Sequence, residues 1–340
     1  MKKRLLLLDI SKLLMAFFIL TIHYGFFDLG EDFKKTLPRI AVPFFFIITG
    51  FFFYHNDTQQ LDTKYYKILK KMILIAILSV SFYVMFDLIR VIKNNGSTVD
   101  FFRTLFSKEN LKLTLIYQDF YINVHLWYIL SYPIAITLTY IVLKFKNNNY
   151  FILFLCTALL VINLIFGNYS NLVHFDSELA LTRNAYFCAF PFILVGCLIK
   201  KNNHLINKKL SYVLLIMGII MFVMQYYENL IFSNYIEYRH SDLYISTIIS
   251  SICLFIGIIN IKITSSKFYL FFDKNIPLLI YILQKFINTK CWEIKIFHPI
   301  MDSAFQPVFL FIILYIVSFI LCKIYSLIIN RYNNRIYQYN

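Results

Sequence analysis

Glycine and proline are scarce in this chain, eight and seven in 340 residues, and no Gly/Pro/Ser-rich linker divides it. Charged residues are also few, 15% against 59% hydrophobic, with a mean hydropathy of +0.66. That balance excludes an ordinary soluble globular domain. No charge-dense soluble stretch and no internal repeat occurs, so residues 1–340 read as a single integral membrane domain. The six cysteines, Cys156, Cys188, Cys197, Cys253, Cys291 and Cys322, include no C-x-x-C pair and lie mostly in apolar segments. They read as small buried hydrophobes rather than a metal site or disulfide framework. A Walker loop, G-x-G-x-x-G, H-E-x-x-H and G-x-S-x-G are all missing, which leaves ATP hydrolysis, Rossmann redox and serine-hydrolase chemistry unsupported.

What the chain has is long apolar runs. The expected fold is all-α, a polytopic membrane helical bundle of about ten transmembrane helices. The spans fall near 5–27, 37–54, 72–91, 125–143, 150–167, 185–199, 210–230, 243–261, 276–289 and 305–329. Lys2, Lys3 and Arg4 before the first run resemble a signal peptide. Asp9 and Lys12 interrupt the run and no small-residue cleavage site follows, so an uncleaved first span is expected.

Charge supports that count. With the N-terminus in the cytoplasm, the inner segments hold 19 of the 33 cations and only Asp57, Asp62 and Asp273 of the 18 acids. Setting aside Asp9 and Lys12 within the first span, 13 cations and 14 acids remain for the outer side. This is the positive-inside asymmetry of ten spans with both termini cytoplasmic. The formal charge of +15 is therefore a topological signal and points to no nucleic acid.

The first run carries three ionisable groups. Lys12 and His23 are eleven residues apart, which brings them to nearly one helical face about 16 Å apart along the axis. Asp9, three residues before Lys12, joins that face. Intramembrane charge is expensive, and its default reading is functional. A cation toward the cytoplasm suits a phosphate-bearing donor. A histidine toward the outside suits proton transfer with an external acceptor. The alternative is that Lys12 snorkels to the inner surface, Asp9 neutralises it and His23 bonds a neighbouring helix.

These residues resemble the first helix of the acyltransferase-3 membrane proteins, whose signature is Arg-x10-His; Lys12 stands where Arg is usual. Further likenesses follow in order: Arg39-Ile40-Ala41-Val42-Pro43-Phe44-Phe45-Phe46 with Thr49-Gly50, then His125-Leu126-Trp127-Tyr128. After them come Thr182-Arg183-Asn184 before Phe190-Pro191-Phe192 and Gly196, the segment of a Firmicute branch that includes the membrane domains of vancomycin-resistance serine racemases. Last comes Ile280-Tyr281-Ile282-Leu283-Gln284, with Gln for the usual His. The resemblance spans roughly residues 5 to 325. It implies acyl transfer, usually of acetyl from cytoplasmic acetyl-CoA to a hydroxyl of an envelope or capsular glycan, in the bacterial plasma membrane. No permanently bound cofactor and no metal are expected. His23 is the expected base or acyl carrier, with Asp9 fixing Lys12; Lys12 and Arg39 are expected at the donor. His125, Trp127, Arg183, Asn184 and Gln284 are expected at the acceptor. Lysine keeps the charge but loses bidentate phosphate recognition, and glutamine cannot titrate.

Plainer roles stand beside these. Arg39 and Arg183 suit interfacial anchors and Trp127 an aromatic belt; Pro43 could kink its helix. Glu228, Glu237, His240 and Asp242 read as a solvated outer loop, and His298 and Asp302 lack ligand spacing. Two rival functions remain: a transporter or flippase of an envelope precursor, and a ligand-sensing domain that kept the scaffold without catalysis.

Overall fold

The computed structural model describes residues 5–25, 36–146, 148–170, 174, 179–235, 243–261 and 272–339. Lys2, Lys3, Arg4, Glu237, His240 and Asp242 lie outside them. Every described element is helical. All ten expected spans are helices, and seven helices are long and apolar enough to cross a membrane. Leu37–Phe53 and Ile245–Asn260 are apolar but shorter. Ile276–Glu293 turns polar in its second half, with Gln284, Lys285, Asn288 and Lys290.

Two compact units divide the chain: residues 1–41 with 258–340, and residues 42–257. In the first, α1 (Leu6–Tyr24) packs with the later helices of that unit. Gly25 ends α1 at φ 76°, ψ −173°, a conformation essentially restricted to glycine, two residues after His23. A 3-10 turn, Leu37–Ile40, carries Arg39. Ala16 and Leu20 of α1 share a buried core with Ile276, Ile280, Leu310 and Leu314. Phe17 meets Phe311 edge-on at 5.4 Å.

The second unit begins at Val42, within α2 (Ala41–Phe53). Pro43 sits in its first turn, where a missing N–H costs least. Next, α3 (Thr58–Lys93) runs 36 residues, capped by Asp57, whose carboxylate accepts from the Gln59 amide at 3.0 Å. It starts well before the apolar stretch. Asp62 on this extension accepts from the Tyr140 hydroxyl at 2.7 Å and the Lys144 ammonium at 3.3 Å, and Tyr65 stacks on Tyr140 at 4.1 Å. Two helices without a buried residue follow, α4 (Thr98–Leu105) and α5 (Lys108–Tyr117). Then come α6 (Trp127–Phe145), α7 (Asn149–Phe166), the single-turn α8 (Leu179–Thr182), a π-turn at Ala185–Ala189 and α9 (Phe190–Asn202).

Glycine sets two crossings. A Cβ on Gly50 of α2 would lie 1.8 Å from the Ile193 carbonyl oxygen of α9, and one on Gly196 would lie 2.1 Å from that of Ile47. Gly50 and Gly196 thus face each other across one contact, closed further by the Cys197 thiol on the Gly50 carbonyl at 3.3 Å. Close backbone approach of this kind is how membrane helices gain packing without a hydrophobic driving force. The same device joins α10 (Lys208–Tyr235) to α11 (Ile245–Asn260), where a Cβ on Gly218 would meet Leu254 at 2.7 Å. None of the six cysteines forms a disulfide, and all are buried.

Candidate functional site

In the first unit, α1 exposes Ile10 and Leu14, 45% and 47% accessible. Lys12 is two residues from each, so it points roughly 160° away from both. Its ammonium pairs with Asp9 at 3.1 Å, and the two side chains are only 18% and 17% exposed. The ion pair therefore lies on the side of α1 away from its outward stripe, partly desolvated, where it is held more firmly than a surface pair. His23 is exposed in the last turn, on the same side as Lys12, with its ring 6.2 Å from that of Tyr24. Arg39 is half-buried in its 3-10 turn.

Gln284, on α12 (Ile276–Glu293), is 1% exposed. Among the described residues neither its amide oxygen nor its amide nitrogen has a hydrogen-bond partner. Each unmet group costs about 1–3 kcal/mol, so the position invites a polar ligand.

The second unit holds the other four residues expected from the sequence. His125 is 8% exposed in the 3-10 turn Val124–Leu126, with Tyr83 edge-on at 5.6 Å. Trp127 is 7% exposed and packs against Phe46, centroids 6.1 Å apart. The Asn184 oxygen accepts from the Tyr186 and Phe187 amides, both at 2.9 Å, and its nitrogen donates to the Ala180 and Leu181 carbonyls at 3.0 and 2.8 Å. Asn184 therefore stitches α8 to the π-turn, a local distortion often found at functional sites. It fixes the backbone that carries Arg183.

Residues that no motif marked complete this region. Gln118 ends α5 in the left-handed conformation, φ 59°, and its side-chain oxygen accepts from the Ala185 amide at 2.8 Å. Asn163 of α7 donates to the carbonyls of Thr182 at 2.7 Å and Phe187 at 3.0 Å. The 182–187 turn is thus held from two sides. Asp119, next to Gln118, is half-buried; burial pushes its carboxyl above the usual 3.8, and the Arg183 charge pulls back against that rise. A lone polar residue in an apolar run was the available signal for Asn163. Nothing in the spacing marked Gln118 or Asp119.

Glu228 corrects the reading of a solvated loop. It lies on α10, where its carboxylate receives the Tyr169 hydroxyl, the Ser246 hydroxyl, and the Ile245 and Ser246 amides at 3.1 and 3.0 Å. It caps the start of α11, where a negative charge is favoured. His298 bonds the Trp292 carbonyl at 2.9 Å.

No solved structure matches the chain. An Enterococcus faecalis protein named amino-acid racemase is 24% identical over 358 residues, a match that covers 95% of this chain and 46% of that protein. The chain therefore spans about half the length of this relative. Residues 6–327 match the family model described as an acyltransferase domain, the acyltransferase-3 family. With nearly its whole length inside that match and a helical membrane fold, the chain belongs to the acyltransferase-3 family of integral membrane proteins.

Proposed function

We propose that this chain is a membrane O-acetyltransferase. It moves an acetyl group from cytoplasmic acetyl-CoA to a hydroxyl of an envelope polysaccharide, with both termini cytoplasmic, in the plasma membrane of a bacterium. The observation that carries the reading is the family match together with Lys12, turned away from exposed Ile10 and Leu14, and His23 eleven residues on at nearly the same helical angle. Lys12, oriented by Asp9, attracts the donor's phosphates, with Arg39 adding charge at the donor. His23 takes the proton of the acceptor hydroxyl as its oxygen attacks the thioester carbonyl. The tetrahedral adduct collapses by breaking the carbon–sulfur bond, and the CoA thiolate leaves and takes up the proton from His23. The acetyl group is then an ester on the acceptor.

Radiolabelled acetyl-CoA supplied to proteoliposomes tests this: label appears on a glycan in the reading proposed, and none appears if the protein is a transporter. Gln284 favours a second reading. A buried, non-titrating amide with neither atom partnered among the described residues suits ligand capture without catalysis, a sensing domain on the same scaffold. Calorimetry that finds ligand binding without acyl turnover would select it.

A further inference from the structure

Buried polar atoms in the second unit gather around the 182–187 turn. Gln118 and Asn163 bond that turn directly. Beside those contacts, three atoms have no hydrogen-bond partner among the described residues: the Asp119 Oδ1, the Asn163 Oδ1 and the Asn123 Nδ2. Asn123 is 3% exposed and Asn163 2%. Asn123 belongs to the same tight loop as Asp119, closed by its amide on the Phe120 carbonyl at 2.8 Å.

Folded proteins satisfy nearly all such groups, and each exception lowers stability. Two of these atoms belong to the 118–123 loop and one to Asn163, both bonded to the same turn, and a ligand there would recover the cost. Two of the atoms accept and one donates. The Arg183 charge already acts on the Asp119 carboxylate, and the two acceptor oxygens offer an anion no hydrogen bond. A hydroxyl both donates and accepts, so a ligand with several hydroxyls satisfies all three atoms together.

We propose that the 118–123 loop, Asn163 and the 182–187 turn form the recognition site for the hydroxyls of a sugar, with Asp119 the residue that sets specificity. This rests on the acyl-transfer reading and names the part of the chain that holds the acceptor. Gln118 and Asn184, whose bonds are made within the protein, hold the turn in place and are positioning residues.

The test uses the full chain in nanodiscs and two readouts. Calorimetry measures binding of methyl glucoside, methyl galactoside and methyl N-acetylglucosaminide; radiolabelled acetyl-CoA measures transfer. The wild type binds at least one glycoside, and Asp119→Asn and Asn123→Ala weaken that binding by about tenfold or more. Their melting temperatures stay level or rise, because Asp119→Asn removes a partly buried charge and Asn123→Ala an unmet buried amide nitrogen. The site is overturned if the wild type binds none of the three, if the variants bind as the wild type does, or if they lose binding only by losing the fold. Binding that is lost in the variants while the wild type transfers no acetyl upholds the site and contradicts the acetyltransferase. Transfer with an unchanged acceptor KM in Asp119→Asn does the reverse.

Discussion

At the scale of single residues, the deciding feature is which polar groups the fold has already used. Asn184 has spent both side-chain atoms on four backbone groups. Asn184→Ala should therefore destabilise the protein by about 2–4 kcal/mol, since it leaves buried backbone groups unmet, and thermal unfolding in detergent checks this. Asp119 is the opposite case. Its carboxyl is held above 3.8, so the folded state binds the proton more tightly than the unfolded state. The penalty is absent below the unfolded value, grows as pH rises from there to the folded one and is constant above it. Asp119→Asn should then raise the melting temperature at neutral pH and leave it unchanged near 3.8 or below. A drop at neutral pH would contradict this assignment. Lys12 and His23 were legible because the helical period alone puts residues eleven apart on nearly one face. Asp119 and Gln118 were not, because their partners lie more than sixty residues away and follow no period.

At the scale of elements, the glycines carry the packing. Gly50 and Gly196 each stood out within a resemblance motif, and only the structure shows them to be two halves of one crossing. Gly50→Ala forces a methyl onto a backbone oxygen, which no rotamer relieves. It should cost about 3 kcal/mol or more, read as loss of folded protein on size exclusion. The apolar stretches were readable from hydropathy and fall on helices, seven of them long and apolar enough to cross a membrane, while the last helix, Gln306–Tyr339, runs ten residues past its expected end. The extension of α3 was not readable: the lysines at 64, 67, 70 and 71 break the apolar signal, while the helix continues through them. Glu228 was misplaced for a related reason. A carboxylate near the end of an apolar run looks like loop, and its use as a cap for a distant helix depends on the fold. Glu228→Ala should loosen the start of α11, seen as faster amide exchange at Ile245 and Ser246.

At the scale of the molecule, the fold gives two helical units and a family match across nearly all of the chain. The acetyl donor, the glycan and the orientation in the membrane are proposals on that base. Topology is open to direct measurement: a reporter fused after residue 340 should be active only in its cytoplasmic form, as the concentration of cations in the inner segments requires. The central claim is that His23 takes the acceptor's proton, and acetyl transfer by purified His23→Ala in proteoliposomes tests it most directly. The account predicts a loss of about 10²–10⁴-fold in kcat with the protein still folded. Transfer at the wild-type rate would contradict it.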